Sequence, residues 1–429
     1  DAAPLPLAIL PCCSPLRLVV LRTHLLYISL RWGKPSVNIS SLIVSLVGNW
    51  VMNSIACIDD LQKLAKRRVP KMFYDYADSG SWSETTYRAN EADLAAIKFR
   101  QRVAMDVSKR STEMPMLGQK LPMPVALAPT GLTGMQRANG EILAARAAAD
   151  FGVPFTLSTM SICSIEEVAA NSPEPFWFQL YVMRDRDFVS RLIERASDAD
   201  CSALMVTLDL QLLAQRHKDV HNGLSAPPKP TMRNLLDLIQ KPAWCLGMLG
   251  TNRRKFGNIV GHVKGVKDMS SLSDWTVSQF DPSLSWGDVA KIRKQWGGKL
   301  IVKGILDVED ALAAVNVGAD AIVVSNHGGR QLDGAVSSIV ALPPIVDAVN
   351  DRAEVWMDSG IRSGQDVLRA IALGAQGTMI GRAFLYGLGA KGQAGVRQAL
   401  DIIHKELDLT LGLCGQSDLS KVDSSILTK

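Results

Sequence analysis

From about residue 122 onward, apolar positions fall into two alternating patterns. Short continuous apolar runs at 125–128, 155–157, 176–180, 203–208, 300–302, 321–324, 354–357 and 378–380 read as buried strands. Between them, stretches at 141–150, 187–196, 308–317 and 364–373 carry apolar residues three and four apart, the spacing of amphipathic helices. Eight buried strands alternating with helices predict an α/β fold, a parallel (β/α)8 TIM barrel. Ahead of it, Asp59-Asp60-Leu61-Gln62 and then Leu64-Ala65-Lys66-Arg67 predict a short helix, acidic at its start and basic at its end. The barrel therefore has an N-terminal helical segment.

An internal repeat supports the barrel. Gly304-Ile305 and Gly360-Ile361 are each followed, at equal distances, by Asp310 or Asp366, Leu312 or Leu368, Ala314 or Ala370, and Gly318-Ala319 or Gly374-Ala375. Each block reads as a loop, a helix and the turn into the next strand. One connection, 211–299 after the fourth strand, is too long for a plain crossover. It holds Pro227-Pro228-Lys229-Pro230 and an apolar patch of Trp244, Leu246, Met248 and Leu249, and is expected to form a lid or a surface for a partner or membrane.

The first 51 residues break the pattern. They lack acids after Asp1 and carry Arg17, Arg22, Arg31 and Lys34 among Leu, Ile, Val and Ser, like a transit segment. The charge-free stretch 35–58 is nominally long enough to span a bilayer, but Ser, Asn and Gly dilute it. Residues 1–51 are expected to be a non-domain extension and 52–429 the barrel domain.

Bulk chemistry narrows the function classes. A formal charge of +5 without a basic, aromatic-interleaved stripe argues against a nucleic-acid site. Seven cysteines, an odd number with no CxxC pair, indicate neither a disulfide framework nor zinc, and fit a reducing compartment. His217 and His221 are four apart with no acidic third ligand near, so a solvated helix face is expected and no metal.

Barrel chemistry gathers at the C-terminal ends of the strands. That rim reads Pro129-Thr130-Gly131, Ser158, Gln179 and Tyr181, Thr207 and Asp209, Lys303, His327 and Arg330, Asp358, and Gly381-Arg382. In Ser325-Asn326-His327-Gly328-Gly329-Arg330, a titratable imidazole and a guanidinium share a glycine-loosened loop, suited to taking a proton and gripping a carboxylate. Asp358-Ser359-Gly360-Ile361-Arg362 and Gly381-Arg382 each precede a helix and suit a phosphate dianion. Gly387-Leu388-Gly389-Ala390-Lys391-Gly392 matches a dinucleotide fingerprint, but the residues before it read as helix rather than strand, so that site is rejected.

These motifs, with Pro70-Lys71-Met72-Phe73-Tyr74-Asp75-Tyr76, Leu157-Ser158-Thr159-Met160-Ser161, Phe178-Gln179-Leu180-Tyr181 and Val302-Lys303-Gly304, carry a specific likeness. Over residues 58–427 the chain resembles the FMN-dependent L-2-hydroxy-acid dehydrogenase/oxidase family, above all its bacterial L-lactate dehydrogenase branch. The resemblance implies bound FMN and oxidation of L-lactate to pyruvate, with electrons passed to a quinone or cytochrome. It implies His327 as the general base, taking the proton of the α-carbon or of its hydroxyl, with Asp209 stabilising the imidazolium. Arg330 and Arg216, helped by Tyr74, would hold the carboxylate, and Tyr181 the hydroxyl end. Lys303 would sit near the flavin N1 and C2 carbonyl. Thr130, Gly131, Ser158, Gln179 and Thr207 would bind the ring, and Asp358, Ser359, Gly360, Arg362, Gly381 and Arg382 the ribityl phosphate. Gly131, where oxidases more often carry Ala, favours a dehydrogenase; Met160, where glycolate-oxidising relatives carry Trp, favours the lactate branch. Between Asp209 and Arg216 the chain departs from the branch, having Leu210-Gln211-Leu212-Leu213-Ala214-Gln215 where a Pro and a Gly are usual. The resemblance further implies a homo-oligomer, commonly a tetramer, in the cytoplasm or peripheral on the inner membrane.

The nearest alternative is an L-2-hydroxy-acid oxidase acting on glycolate or lactate and reducing oxygen to hydrogen peroxide; oxygen consumption separates the two. A flavin-binding protein without turnover, or a non-flavin phosphate-binding lyase or isomerase, belongs to a different class. Protein without yellow absorbance would favour the lyase or isomerase.

Overall fold

In the computed structural model the described residues are 54–224, 231–263, 275 and 278–428; the expected extension at 1–51 and the prolines at 227–230 lie outside them. A hairpin of β1 (Met114–Met116) and β2 (Gln119–Leu121) precedes eight parallel strands. These are β3 (Val125–Leu127), β4 (Thr156–Ser158), β5 (Trp177–Tyr181), β6 (Ala203–Thr207), β7 (Lys299–Ile305), β8 (Ala321–Val324), β9 (Glu354–Met357) and β10 (Gly377–Ile380). Neighbours run β3-β10-β9-β8-β7-β6-β5-β4, and a parallel bridge from Leu127 to Phe155 joins the ends of that order into a ring. The fold is the expected TIM barrel. Only β7 is markedly longer than its apolar run, because it continues past a register shift between Lys303 and Ile305.

Alternation along the strands decides which side chains enter the barrel. Ala126, Trp177, Ala203, Met205, Ile301, Ala321, Val323, Trp356 and Met379 form one buried interior cluster, with Trp177 and Trp356 stacked at 5.2 Å. The β1–β2 hairpin adds Met116 and Leu121 to this cluster and closes the N-terminal end, where Glu354 accepts from the Leu117 amide. Two residues further along each strand, the same inward phase reaches Gln179 and Tyr181, Thr207, Lys303, Ser325, Asp358 and Gly381. The C-terminal mouth is thus lined by polar groups standing on an apolar floor.

The outer helices begin where the sequence supplies caps. Ser164 and Glu167 form a capping box, and Asp185, Asp307 and Ser363 accept from amides in the first turns of their helices. Before the barrel come helices Ile58–Arg68, Lys71–Ala77 and Thr85–Ala96. The first buries Ile58, Leu61 and Ala65 against the Arg382–Lys391 helix, which contains the Gly387–Gly389 pattern and is helical as expected. In the insertion, helices His217–His221, Met232–Ile239 and Pro242–Leu249 precede the barrel helix Trp286–Gln295. His217 and His221 are exposed, and no metal-ligand cluster occurs among the described residues.

Candidate active site

A cavity of about 360 Å³ opens at the C-terminal mouth, within the usual range for small-molecule sites. Tyr181, Lys303, His327, Arg330, Arg216, Thr130, Gly131, Asp358, Ser359, Gly360, Arg362, Gly381 and Arg382 all line it. Residues from six strand ends and the insertion therefore converge.

The loop after β8 is bent into place. His327 has φ 58, and Gly328 and Gly329 follow at 68 and 71. A side chain at Gly329 would put its Cβ 2.4 Å from the Tyr87 amide nitrogen, so only glycine fits. Strain at His327 is held by its amide donating to Ser325 Oγ (3.1 Å) and by Gly328 and Gly329 donating to Ser359 Oγ and Asn326 Oδ1.

His327 Nδ1 lies 2.9 Å from Asp209 Oδ1. Burial pushes the imidazole pKa down and Asp209 pulls it back only in part, with Lys303 and Arg330 adding to the depression. Burial raises the Asp209 pKa, but His327 and Lys303 outweigh it and hold the group below the ordinary carboxylate range. An ionised carboxylate only accepts, so Nδ1 carries the proton and Nε2 keeps a free lone pair. Gly304, at φ 100, lets this pair approach: a Cβ there would stand 2.8 Å from Asp209 Cβ.

Two guanidiniums share one aromatic ring. The Cζ atoms of Arg330 and Arg216 lie 4.7 and 5.7 Å from the centroid of Tyr76. Arg330 also donates to the carbonyls of Tyr76 and Ser79, and Arg216 Nε to Asp219 at 2.6 Å. Burial and the nearby Arg216 push the Arg330 pKa down to about 10, which leaves it charged. The altered run before Arg216 is fixed by tertiary hydrogen bonds instead of turn residues. Gln331 donates to the Asp209 and Leu212 carbonyls, and the Trp82 amide to the Gln215 carbonyl.

Tyr74 is not in the cavity. It is buried, stacks on Tyr386 and donates to Asp78, whereas Tyr76 lines the cavity beneath both arginines. On the Lys71–Ala77 helix, two positions differ by about 200° of rotation, so the two rings face opposite ways. The signal was present: Tyr74 and Asp78 are four apart and share a face. Phe256 and Leu213, both from the insertion, also line the cavity and were not singled out from sequence.

Lys303 Nζ pairs with Asp358 Oδ2 at 2.9 Å and donates to Ser325 Oγ at 2.6 Å, nearly sealed from solvent. One layer below the Tyr181–Thr207–Lys303 register, Ser158 donates to Gln179 Oε1 at 3.0 Å. Gln179 Nε2 and Thr207 Oγ1 are buried with no partner among the described residues. Buried donors of this kind need an acceptor, and a flavin's pyrimidine edge, with two carbonyls and an N–H, supplies the right complement. At the other end Arg362 and Arg382 stand beside Ser359 and Gly360, a donor set for a phosphate dianion. These residues fit FMN.

Known proteins agree with this chemistry. The FMN-dependent dehydrogenase family profile matches residues 65–429. The L-lactate dehydrogenase of Caulobacter sp. (strain K31) is 48% identical over 380 residues, covering 87% of this chain and 99% of that protein. That of Pseudomonas syringae pv. syringae (strain B728a) is 46% identical over 377 residues, with 87% and 99% coverage. Among solved structures, the monotopic membrane protein (S)-mandelate dehydrogenase superposes with a TM-score of 0.84 at 34% identity, covering 88% of this chain and all of that one. Mandelate oxidase with (S)-2-phenylpropionate gives 0.73 at 35% identity, with 87% and 98% coverage. A barrel mouth with a buried His–Asp pair, two guanidiniums and unpartnered flavin-edge donors, matched across nearly its whole length, makes this chain a member of the FMN-dependent dehydrogenase family.

Proposed function

We propose that the protein oxidises L-lactate to pyruvate and passes the electrons to a quinone or cytochrome. The observation that carries this is the His327–Asp209 pair set across one cavity from the Arg330–Arg216 pair. Bound FMN supplies a two-electron acceptor. Arg330 and Arg216 hold the substrate carboxylate, with Tyr76 in place of Tyr74 as the aromatic support. His327 Nε2 takes a proton from the α-carbon or its hydroxyl, and Asp209 stabilises the imidazolium that results. Tyr181 keeps its proton, since burial and then Asp209 push its pKa up, and it hydrogen-bonds the hydroxyl end. Lys303 would place its positive charge where the reduced flavin ring gains negative charge. Gln179, Ser158, Thr207, Thr130 and Gly131 would hold the ring, and Asp358, Ser359, Gly360, Arg362, Gly381 and Arg382 the ribityl phosphate.

Peripheral membrane contact belongs to the same reading. Met232, Leu235, Leu236, Ile239, Leu246 and Leu249 are exposed on the Met232–Ile239 and Pro242–Leu249 helices, with exposed Arg233, Arg254 and Lys255 nearby. No helix among the described residues is long and apolar enough to cross a membrane. A homotetramer remains the expected assembly, checked by light scattering. Mandelate oxidase among the structural neighbours favours the second reading, an oxidase using oxygen.

Anaerobic mixing with L-lactate, followed by a quinone analogue or air, tests the proposal. Rapid loss of flavin absorbance, with recovery faster by quinone than by air, supports the dehydrogenase. Faster recovery by air makes it an oxidase, and no bleaching by lactate rejects lactate as substrate.

A further inference from the structure

Behind the two cradle arginines lies a carboxylate that the hydroxy-acid chemistry does not use. Asp78 Oδ1 accepts from the hydroxyls of Tyr386 (2.7 Å) and Tyr87 (3.0 Å), and Oδ2 from Tyr74 (3.0 Å). Gln62 donates to Oδ2 from 3.4 Å. Three tyrosines from three different helices thus meet on one side chain.

Two of these tyrosines carry the cradle arginines on their ring faces. Arg382 Cζ lies 4.5 Å from the Tyr87 centroid, and Arg362 Cζ 5.9 Å from that of Tyr386. Arg382 is further fixed by donating to the carbonyls of Ala77, Ser79 and Gly328, the first two flanking Asp78. Arg362 pairs with Glu91 at 2.9 Å. A guanidinium on a long side chain has many rotamers, and holding it for one anion requires its surroundings to be fixed first.

Protonation keeps the cluster locked. Burial raises the Asp78 pKa, but Tyr386, Arg382 and the other hydroxyls outweigh it and keep the carboxylate ionised. Burial raises the pKa of all three tyrosines, which stay protonated as donors.

We infer that Asp78 is a positioning residue for the phosphate end of FMN. It fixes Tyr87 and Tyr386 so that their rings hold Arg382 and Arg362 toward the cradle. The inference rests on FMN lying with its phosphate at these arginines.

Apoprotein titrated with FMN and, separately, with riboflavin, which lacks the phosphate, tests it by flavin fluorescence. In Asp78→Asn the FMN Kd is expected to rise roughly 10-fold or more, the usual scale for outer supports of a binding group, while the riboflavin Kd stays unchanged. A Tyr87→Phe, Tyr386→Phe double variant keeps both rings, guards against a misfolded Asp78 variant, and is expected to show the same FMN-selective loss. An equal loss for both ligands would reduce Asp78 to a general structural role and overturn the inference. An unchanged FMN Kd would mean that Asp78 does not position the cradle, and a tighter one that its negative charge merely repels phosphate; either overturns the inference. Wild-type protein that binds FMN no tighter than riboflavin would remove the phosphate cradle itself, a separate failure visible before any variant is made.

Discussion

His327 donates a hydrogen bond from Nδ1–H to Asp209, and that bond fixes how the cavity handles protons. Because burial depresses the imidazole pKa, the base form dominates from below the ordinary 6.5 upward. The pH profile of kcat/KM for L-lactate should therefore fall as pH drops through a value under 6.5, and stay flat from there to neutrality; an acid limb with its midpoint above pH 7 would contradict it. Arg330→Met removes one of two charges aimed at a carboxylate and leaves only Arg216, already paired with Asp219. It should weaken oxalate binding by roughly 2–5 kcal/mol, the scale for truncating a buried charge pair, measured by spectral titration of the flavin. Gly329→Ala forces a Cβ against the Tyr87 backbone at a positive φ. A loss of roughly 1–3 kcal/mol is expected, read as a lower Tm in thermal unfolding. At this scale the sequence identified titratable groups well and directions poorly. Motif order placed His327, Arg330 and Lys303 at strand ends, but only helical phase separates Tyr76 from Tyr74.

At the scale of elements, the apolar runs marked all eight barrel strands, because a strand covered on both faces can be nothing but apolar. The insertion was harder. A helix such as Met232–Ile239 has an apolar face by periodicity, and periodicity does not say what covers that face. Here the inner side holds the cavity wall: Trp244 stacks on Phe73 at 5.5 Å and donates to the Met135 carbonyl, while the Lys71 amide donates to Asp237. The outer side leaves Leu235, Leu236 and Ile239 exposed. Replacing those three with Ser should abolish flotation with anionic lipid vesicles while leaving flavin content intact. Unchanged flotation would remove these helices from any membrane contact.

At the scale of the whole molecule, one geometric rule connects the fold with the site. The inward phase that buries Trp177, Met205, Ile301, Val323 and Trp356 also delivers Gln179, Thr207, Lys303, Ser325 and Asp358 two residues later in each strand. That alternation was legible in the sequence, since each rim residue stands at a fixed distance from an apolar partner. The contacts between segments were not: Gln331 bracing the 209–212 run, and Arg382 tying Ala77 and Ser79 to Gly328, depend on the folded barrel. In the proposed reaction His327, backed by Asp209, acts as the base on a hydroxy acid held by Arg330 and Arg216. The most direct test of that role is the anaerobic rate of flavin bleaching by L-lactate in wild type and His327→Gln, at equal flavin content and with oxalate affinity measured in both. The expected result is bleaching slowed roughly 10²–10⁴-fold, the range for losing a general base, with oxalate still bound. Bleaching at the wild-type rate in the variant would contradict it.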